Sequence, residues 1–325
     1  MTATRAHSIL YMISTRKILL LLIITVAVIA SAQPPARWQA QIAYDYANNQ
    51  VLIYGGAGAG DKIFSDTWVL KENKWRKLSD TGPATIKCAF AYDAHRKRAV
   101  LFGGSGDKPL MNETWEWDGA HWKQINIPGP SARNHPMAVY DPLRHHIVLF
   151  GGVNEKGLLT DTWIYDGVSW QLQDDHGPAG CIPHGMLFDK TSGQVILVSL
   201  SAKPDSNDAH HLRDDVWAWT GDQWKKISNS SVYTSLQGLQ AVATNVDGGI
   251  LLFDGDNITN GQGKTWTFNN HNWTAHTIPG PSPRVGESMI YDPQRKQAIL
   301  FGGSDRKDFY NDLWQWNGSN WQSLK

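Results

Sequence analysis

Three arginines hold the same place relative to a Tyr-Asp pair, and together they could bind an anion. Arg37, Arg133 and Arg284 each lie eight residues before the aspartate of such a pair. A guanidinium can hold a carboxylate or a sulfate through two parallel hydrogen bonds. If the three segments meet in the fold, we expect an anion-binding pocket. The alternative is that each arginine pairs with an acid or a backbone carbonyl of its own repeat.

A histidine and a glutamate share a second position, five residues before the aspartate. They are His184 and Glu287, and an imidazole and a carboxylate that face one cavity could serve as an acid/base pair. The alternative is that both are ordinary polar residues at a wet channel mouth. These two are the catalytic candidates, and the predicted ligand-binding set is Arg37, Arg133, His135, His184, Arg284 and Glu287.

The segment HGPAGCIPHG raises the question of a metal site. It brings His176, Cys181 and His184 close together in the sequence, and imidazole and thiolate are ligands for zinc or copper. No pair has a recognised metal-binding spacing, and a cysteine can equally be a small buried apolar residue. We therefore predict no metal and no cofactor. With Cys88 as the only other cysteine, the chain also has no disulfide framework.

The elements that must position these residues are marked by tryptophan. Twelve of the 16 tryptophans form six pairs with a spacing of seven residues, so the pair is the signature of an internal repeat. The pairs are Trp68 with Trp75, Trp115 with Trp122, Trp163 with Trp170, Trp217 with Trp224, Trp266 with Trp273, and Trp314 with Trp321.

Each repeat is expected to form four antiparallel strands. In the third repeat, MAVYD and IVLF are short apolar runs bounded by turn residues, which is typical of strands. DTWIYDGVSW alternates apolar and polar residues, and Asp166-Gly167 favours a hairpin turn. A sheet with an aromatic stripe must bury that stripe against a neighbour, and a ring of such sheets leaves few exposed edges. The sequence therefore predicts an all-β propeller.

This unit resembles the kelch repeat of secreted bacterial proteins. Its double glycine stands at Gly55-Gly56, Gly103-Gly104, Gly151-Gly152 and Gly302-Gly303, and the period is about 48 residues. The resemblance implies a six-bladed propeller with the first strand of each blade innermost, and glycines that leave room for the aromatic side chains. The fourth repeat departs, with Ser199-Leu200 in place of the glycines. Because every repeat is complete, we expect the ring to close without a strand exchanged between the termini.

The galactose oxidases share this repeat, but the tyrosine–cysteine set of their copper site cannot be matched to positions of this sequence. The periplasmic sialic-acid mutarotases resemble it too, which keeps an enzyme under consideration. A resemblance in fold does not choose between these functions.

The first 32 residues are expected to be a secretory signal peptide. Arg16 and Lys17 precede an apolar run from Ile18 to Ala30, and small residues lead to a predicted cleavage before Gln33. The alternative is a membrane anchor, for which the run is short. The predicted organisation is thus a signal peptide at residues 1–32 and a propeller at residues 33–325, in a protein exported to the periplasm or the medium by the Sec route.

Charge and fold together reduce the number of functions to consider. The first 32 residues hold three of the 30 basic residues and none of the 30 acidic ones, so the remainder has an excess of three acidic residues. This balance does not favour a nucleic-acid partner. We expect a monomeric binding or scaffold module for a glycan or an envelope or extracellular protein, with no membrane contact after cleavage. The alternative is a carbohydrate-active enzyme, such as an epimerase or mutarotase, with its site at the channel mouth.

Overall fold

Six antiparallel sheets follow one another along the chain. The computed structural model describes residues 33–106, 109–179, 181–202, 212–228, 232–234, 241–244, 249–254 and 263–324. The predicted signal peptide lies outside these residues. Each sheet takes its strands in chain order, which confirms the all-β propeller with four antiparallel strands in each of six blades.

The first three blades take the chain from Gln41 to Asp174. The strands of blade one are Gln41–Asp45, Gln50–Tyr54, Thr67–Lys71 and Lys74–Ser79. Those of blade two are Ala89–Asp93, Arg98–Phe102, Thr114–Trp117 and Trp122–Ile125, with a separate two-stranded ladder of Thr85–Ile86 and Ser105–Gly106. Those of blade three are Met137–Asp141, His146–Asn154, Gly157–Tyr165 and Trp170–Asp174.

The last three blades repeat this order. The strands of blade four are Cys181–Asp189, Gln194–Ala202, Leu212–Trp219 and Trp224–Lys226, and Val232–Thr234 adds a fifth strand that pairs with Leu212–Trp219. Those of blade five are Ala241–Thr244, Ile250–Asp254, Lys264–Asn269 and Asn272–His276. Those of blade six are Ser288–Asp292, Gln297–Phe301, Leu313–Trp316 and Trp321–Leu324.

The first strands of the six blades form a closed inner ring. Each of them contacts the first strand of the blade before and of the blade after, and blade six contacts blade one in the same way. Gln41–Asp45 and Trp321–Leu324 belong to different sheets, so the ring closes between complete blades, as predicted. The only helix in the described part of the chain is the short 3-10 turn Ala59–Asp61. That part contains no helix that is long and apolar enough to span a membrane.

The hairpin that joins the two tryptophans takes two forms. Gly167 has a φ of 93°, while Asp166 keeps an ordinary φ and its carboxylate accepts the two backbone N–H groups after Gly167. In blade one, where no Asp-Gly pair exists, Glu72 and Asn73 have φ values of 50° and 61°. In blade three the central residues are Gly167 and Val168, and a positive φ at the first of them alone fits a type II′ turn. In blade one they are Glu72 and Asn73, and a positive φ at both fits a type I′ turn. The hairpin predicted at Asp166-Gly167 is confirmed, and blade one forms a hairpin at the same place without that sequence.

In four blades the second tryptophan of the pair connects the blade to the one before it. The first tryptophan donates its indole N–H to its own blade, as Trp163 does to Asp161 at 2.7 Å. The second donates to the preceding blade, as Trp170 does to Thr114 at 2.9 Å. The same bond joins Trp122 to Thr67, Trp224 to Thr162, and Trp321 to Thr265. Where both bonds form, the recurring spacing therefore serves both the blade and the contact between blades.

The double glycines allow the chain of the next blade to come close. Gly103 and Gly302 have φ values of 72° and 69°, and a Cβ there would lie 2.9 and 2.7 Å from the carbonyl oxygens of Arg133 and Arg37. The contacts are with backbone, so the expectation that these glycines make room for aromatic rings is wrong here. A side chain would separate blades two and three, or six and one.

Candidate functional site at the central channel

The inner strands enclose a channel with a volume of about 860 Å³. At the end where these strands begin, which we call the first mouth, the wall contains Gln39, Lys87, His135 and Gly286. At the end where the strands finish, the second mouth, it contains Tyr46, Pro142, Lys190 and Pro293. Between the mouths the wall is mainly apolar, with half-buried side chains such as Met137, Val139, Met186 and Phe188.

The first mouth is held in shape by backbone hydrogen bonds between blades. Gln39 donates its N–H to Gly286 at 2.6 Å, and His135 donates to Lys87 at 2.7 Å. All four of these residues have a positive φ, between 51° and 67°. They occupy one position of the repeat, two residues after the arginine position. The backbone thus sets the side chains of Gln39, Lys87 and His135 around the opening.

His135 is a neutral imidazole at the first mouth. Burial lowers its pKa to about 4, and the nearby positive charge of Lys87 acts in the same direction. A neutral imidazole offers one hydrogen-bond donor and one acceptor. At the same mouth, the side-chain oxygen of Gln39 is buried without a hydrogen-bond partner among the described residues. The mouth therefore offers two neutral hydrogen-bonding side chains together with the ammonium group of Lys87.

The predicted acid/base residues lie deeper in the same channel. His184 is 3% exposed and Glu287 is 7% exposed, and both line the wall, from blades four and six. Cys88 occupies the same repeat position in blade two, where burial raises the pKa of its thiol to about 12. The thiol is therefore protonated at neutral pH and not a nucleophile. The roles predicted for His135, His184 and Glu287 stay predictions.

Tyrosines dominate the second mouth. The rings of Tyr44 and Tyr46 meet edge to face with centroids 4.9 Å apart, and Tyr46 is 45% exposed. Burial and then the charge of Asp292 raise the pKa of Tyr44 to about 12, so its hydroxyl keeps its proton. A tyrosine at a channel opening can stack its ring on a ligand and form a hydrogen bond to it through the hydroxyl.

The prediction of an arginine pocket is wrong. Arg37, Arg133 and Arg284 are at most 2% exposed and are absent from the channel wall. Each makes two bonds to an aspartate of its own blade. The bonds are 2.6 and 3.0 Å for Arg37 with Asp66, 2.6 and 2.8 Å for Arg133 with Asp161, and 2.6 and 3.0 Å for Arg284 with Asp312.

These ion pairs belong to the structure of the blade. Burial alone would raise the pKa of Asp66, but the hydrogen bonds and charge of Arg37 outweigh it and lower that pKa. Asp161 has a lowered pKa for the same reasons, with Arg133 as its partner. Arg37 also donates to the carbonyl of Gly55 at 2.8 Å and lies over the ring of Phe64. With the bond from Nε to Pro35, Arg37 uses four of its five N–H groups inside its own blade, and Arg133 and Arg284 use all five.

The metal candidates do not form one group. The side chain of His176 is 89% exposed and contacts Asp175, whereas His184 is buried in the channel wall. The side chain of Cys181 lies outside the described part of the structure. Among described side chains, His176 does belong to a group with Asp174 and Asp175 whose ligand atoms lie within 4.8 Å of one another. Exposed acidic groups of this kind are common without a metal, and we assign it no role.

Sequence reasoning missed Gln39 and Lys87. Both share the repeat position of His135, two residues after the arginine position, so an alignment of the repeats would have placed all three at one mouth. What no alignment could supply is the burial that lowers the pKa of His135.

Comparison with known proteins agrees with the fold. Residues 4–192 match the family model of the KLHDC2/KLHL20/DRC7 Kelch-repeats domain, which is more than half of the chain. No curated protein matches the chain.

Proposed function

The chain belongs to the kelch-repeat family, whose propellers serve as protein-binding or scaffold modules, and from this premise we propose that it is an exported module that binds a glycan in its central channel. The observation that carries the proposal is the channel of about 860 Å³, with the neutral hydrogen-bonding side chains of Gln39 and His135 and one lysine at one mouth and tyrosines at the other. Ligand sites are typically concave and apolar with a few polar groups.

The chemistry of the first mouth favours a neutral, hydroxyl-rich ligand. The side-chain oxygen of Gln39 can accept a hydrogen bond from a hydroxyl group, and neutral His135 can both donate and accept a hydrogen bond. The arginines that would have favoured an anion are bound to aspartates of their own blades. Apolar walls and tyrosine rings can pack against the C–H faces of a sugar. These features support a glycan over a highly charged partner.

A saccharide panel tests the proposal. We expect the protein without residues 1–32 to bind at least one neutral oligosaccharide, measured by calorimetry. His135→Ala and Gln39→Ala should each weaken binding about tenfold, which corresponds to about 1.4 kcal/mol. Lys156→Ala, in an exposed hairpin of blade three, is the matched control and should change nothing. Added salt should have little effect, because no ion pair holds the ligand.

Two outcomes would contradict the glycan. If no saccharide binds but an envelope protein does, and His135→Ala weakens that complex, the channel mouth is a protein-binding site. If neither kind of ligand responds to substitution at the mouth, the site lies elsewhere on the propeller.

A carbohydrate-active enzyme is the second candidate, because His184 and Glu287 are both buried in the wall of this one channel. An acid/base pair would interconvert the anomers or epimers of a bound sugar. If this function holds, Glu287→Gln abolishes turnover in an NMR assay of anomer or epimer exchange and leaves sugar affinity within about threefold. Binding without any exchange favours the module.

Export is part of the proposal. The apolar run from Ile18 to Ala30 with basic residues before it supports a Sec-dependent signal peptide. When the full chain is expressed in a bacterium, we expect a protein that begins at Gln33 in the periplasm or the medium, identified by intact mass. Recovery of the uncleaved chain in the membrane fraction would instead favour an anchor.

A further inference from the structure

Two histidines from neighbouring blades meet outside the channel. His95 lies in the turn at residues 94–97 of blade two, and His145 lies in the turn at residues 142–145 of blade three. Their ring centroids are 4.5 Å apart, with an angle of 35° between the ring planes. Both residues are exposed. Two imidazoles held this close at a surface are within reach of one metal ion.

Tyr140 contacts both of these histidines. Its hydroxyl lies 3.2 Å from Nδ1 of His145 and accepts the backbone N–H of His95 at 3.2 Å. Burial and then the charge of Asp93 raise the pKa of this hydroxyl, so it keeps its proton. The bond between Tyr140 and His145 can run in either direction, because the role of Nδ1 depends on the tautomer of the ring. In the tautomer where Nδ1 donates to Tyr140, the lone pair of His145 is on Nε2.

This arrangement is the one that metal-binding histidines use. A ligating imidazole usually donates its second N–H to an oxygen atom, which sets the tautomer and the orientation of the ring. When a metal ion binds Nε2 of His145, the oxygen of Tyr140 would have that role for Nδ1. The lone pair on Nε2 belongs to an exposed ring beside the imidazole of His95.

The carboxylates nearby are already in use. Asp93 is bound by Arg96 at 2.7 Å, and Asp141 is bound by Arg144 at 2.7 Å. Both aspartates also accept backbone N–H groups of their own turns. Calcium and magnesium need several oxygen ligands, so this place does not favour them. Imidazole nitrogen favours the later transition metals.

We propose that His95 and His145 form a two-histidine site for a divalent transition-metal ion, with water in the remaining coordination positions. Among these ions Cu²⁺ should bind most tightly, followed by Zn²⁺ and Ni²⁺. The bound ion would connect the turns of blades two and three, so it should stabilise the contact between the two blades.

The test uses untagged protein without residues 1–32. All proteins carry His176→Ala, because the group at Asp174, Asp175 and His176 could hold a second ion. Cu²⁺ binding is measured by calorimetry and by electron paramagnetic resonance. We expect one ion per chain, with two imidazole nitrogens in the spectrum, and a higher melting temperature with Cu²⁺ than without it.

Three variants separate the site from nonspecific binding. His95→Ala and His145→Ala should each weaken Cu²⁺ binding by more than the roughly tenfold that loss of an outer hydrogen-bond partner costs. His121→Ala removes another exposed histidine of blade two and should leave the affinity unchanged. Equal affinity in all three variants, or no bound ion in the parent protein, would overturn the proposal.

Tyr140→Phe tests the role of the tyrosine as a positioning residue. It keeps both ligands but removes the oxygen that sets the tautomer of His145. We expect affinity about tenfold lower, with the two-nitrogen spectrum retained at saturating Cu²⁺. If affinity is unchanged in a folded Tyr140→Phe protein, the tautomer argument is wrong even if the two histidines bind the ion.

Discussion

At the scale of single residues, the arginines show what spacing can and cannot reveal. The sequence identified Arg37, Arg133 and Arg284 as equivalent, and they are. It did not reveal that each side chain turns into its own blade, towards an aspartate 28 or 29 residues later. That separation also recurs in the sequence. Whether the arginines share one ligand or each pair with an aspartate of the same blade depends on the direction of the side chains, which spacing does not reveal.

Loss of one arginine should strongly destabilise the propeller. In Arg133→Met the carboxylate of Asp161, whose side chain is 19% exposed, would remain without its main partner. Breaking a buried pair in this way costs about 3–5 kcal/mol. We expect a clear fall in the urea midpoint of Arg133→Met. The exposed pair Lys77–Asp80 provides the control, since Lys77→Met should cost at most about 1 kcal/mol. Similar midpoints for the two variants would contradict the structural role.

His135 should make stability depend on pH in a defined window. Its pKa is about 4 in the folded protein and 6.5 in the unfolded chain. The unfolded chain therefore takes up the proton first as the pH falls, so the contribution is complete above pH 6.5 and is lost towards pH 4. We expect His135→Gln to lose less stability than the wild type between these values, measured by urea unfolding at each pH. An NMR titration of His135 with a midpoint near 6.5 would contradict the burial argument.

At the scale of the strand, the period of two identified the aromatic stripe correctly, but not its hydrogen bonds. Tyr165 and Trp316, two positions after the first tryptophan of their pairs, are fully buried. The second tryptophan donates to a threonine of the preceding blade, and that contact depends on how neighbouring sheets are placed. Where the preceding blade has Val216 instead, the indole N–H of Trp273 has no partner among the described residues.

Exchanging threonine and valine should therefore have opposite effects in two blades. Thr114→Val removes the acceptor of Trp170 and leaves a buried N–H unsatisfied, which costs about 1–3 kcal/mol. Val216→Thr has nearly the same shape and offers an acceptor to Trp273, so we expect the urea midpoint to rise. If both changes lower the midpoint by the same amount, the indole bonds do not account for the tryptophan spacing.

At the scale of the whole molecule, the number of repeats predicted the ring, and the completeness of each repeat predicted how it closes. The blade six to blade one contact uses the same bonds as an internal contact: Gly303 donates to Arg37 at 2.9 Å, as Gly104 donates to Arg133 at 2.8 Å. The channel could not be predicted in the same way. Its first mouth depends on the side chains of Gln39, Lys87 and His135, and this position differs from one repeat to the next.

Equivalent contacts between blades imply that the ring can be opened at any of them. We consider two circular permutants in which a Gly/Ser linker of about ten residues joins residues 324 and 33. The first opens the chain between Pro128 and Gly129, two exposed residues in the connection from blade two to blade three. All six blades then stay complete, and exposed connections of this kind tolerate new termini.

The second permutant opens the chain between Leu143 and Arg144, which are also exposed. This cut separates the inner strand Met137–Asp141 from the rest of blade three. The last strand of the permuted chain must then pair with the three strands of blade three at the start of that chain. Without the short loop between the two strands, pairing them has a larger entropy cost. We therefore expect the first permutant to melt within a few degrees of the parent and the second to melt clearly lower, measured by circular dichroism. If the permutant with the cut inside blade three were the more stable, complete blades would not be the units from which this ring is closed.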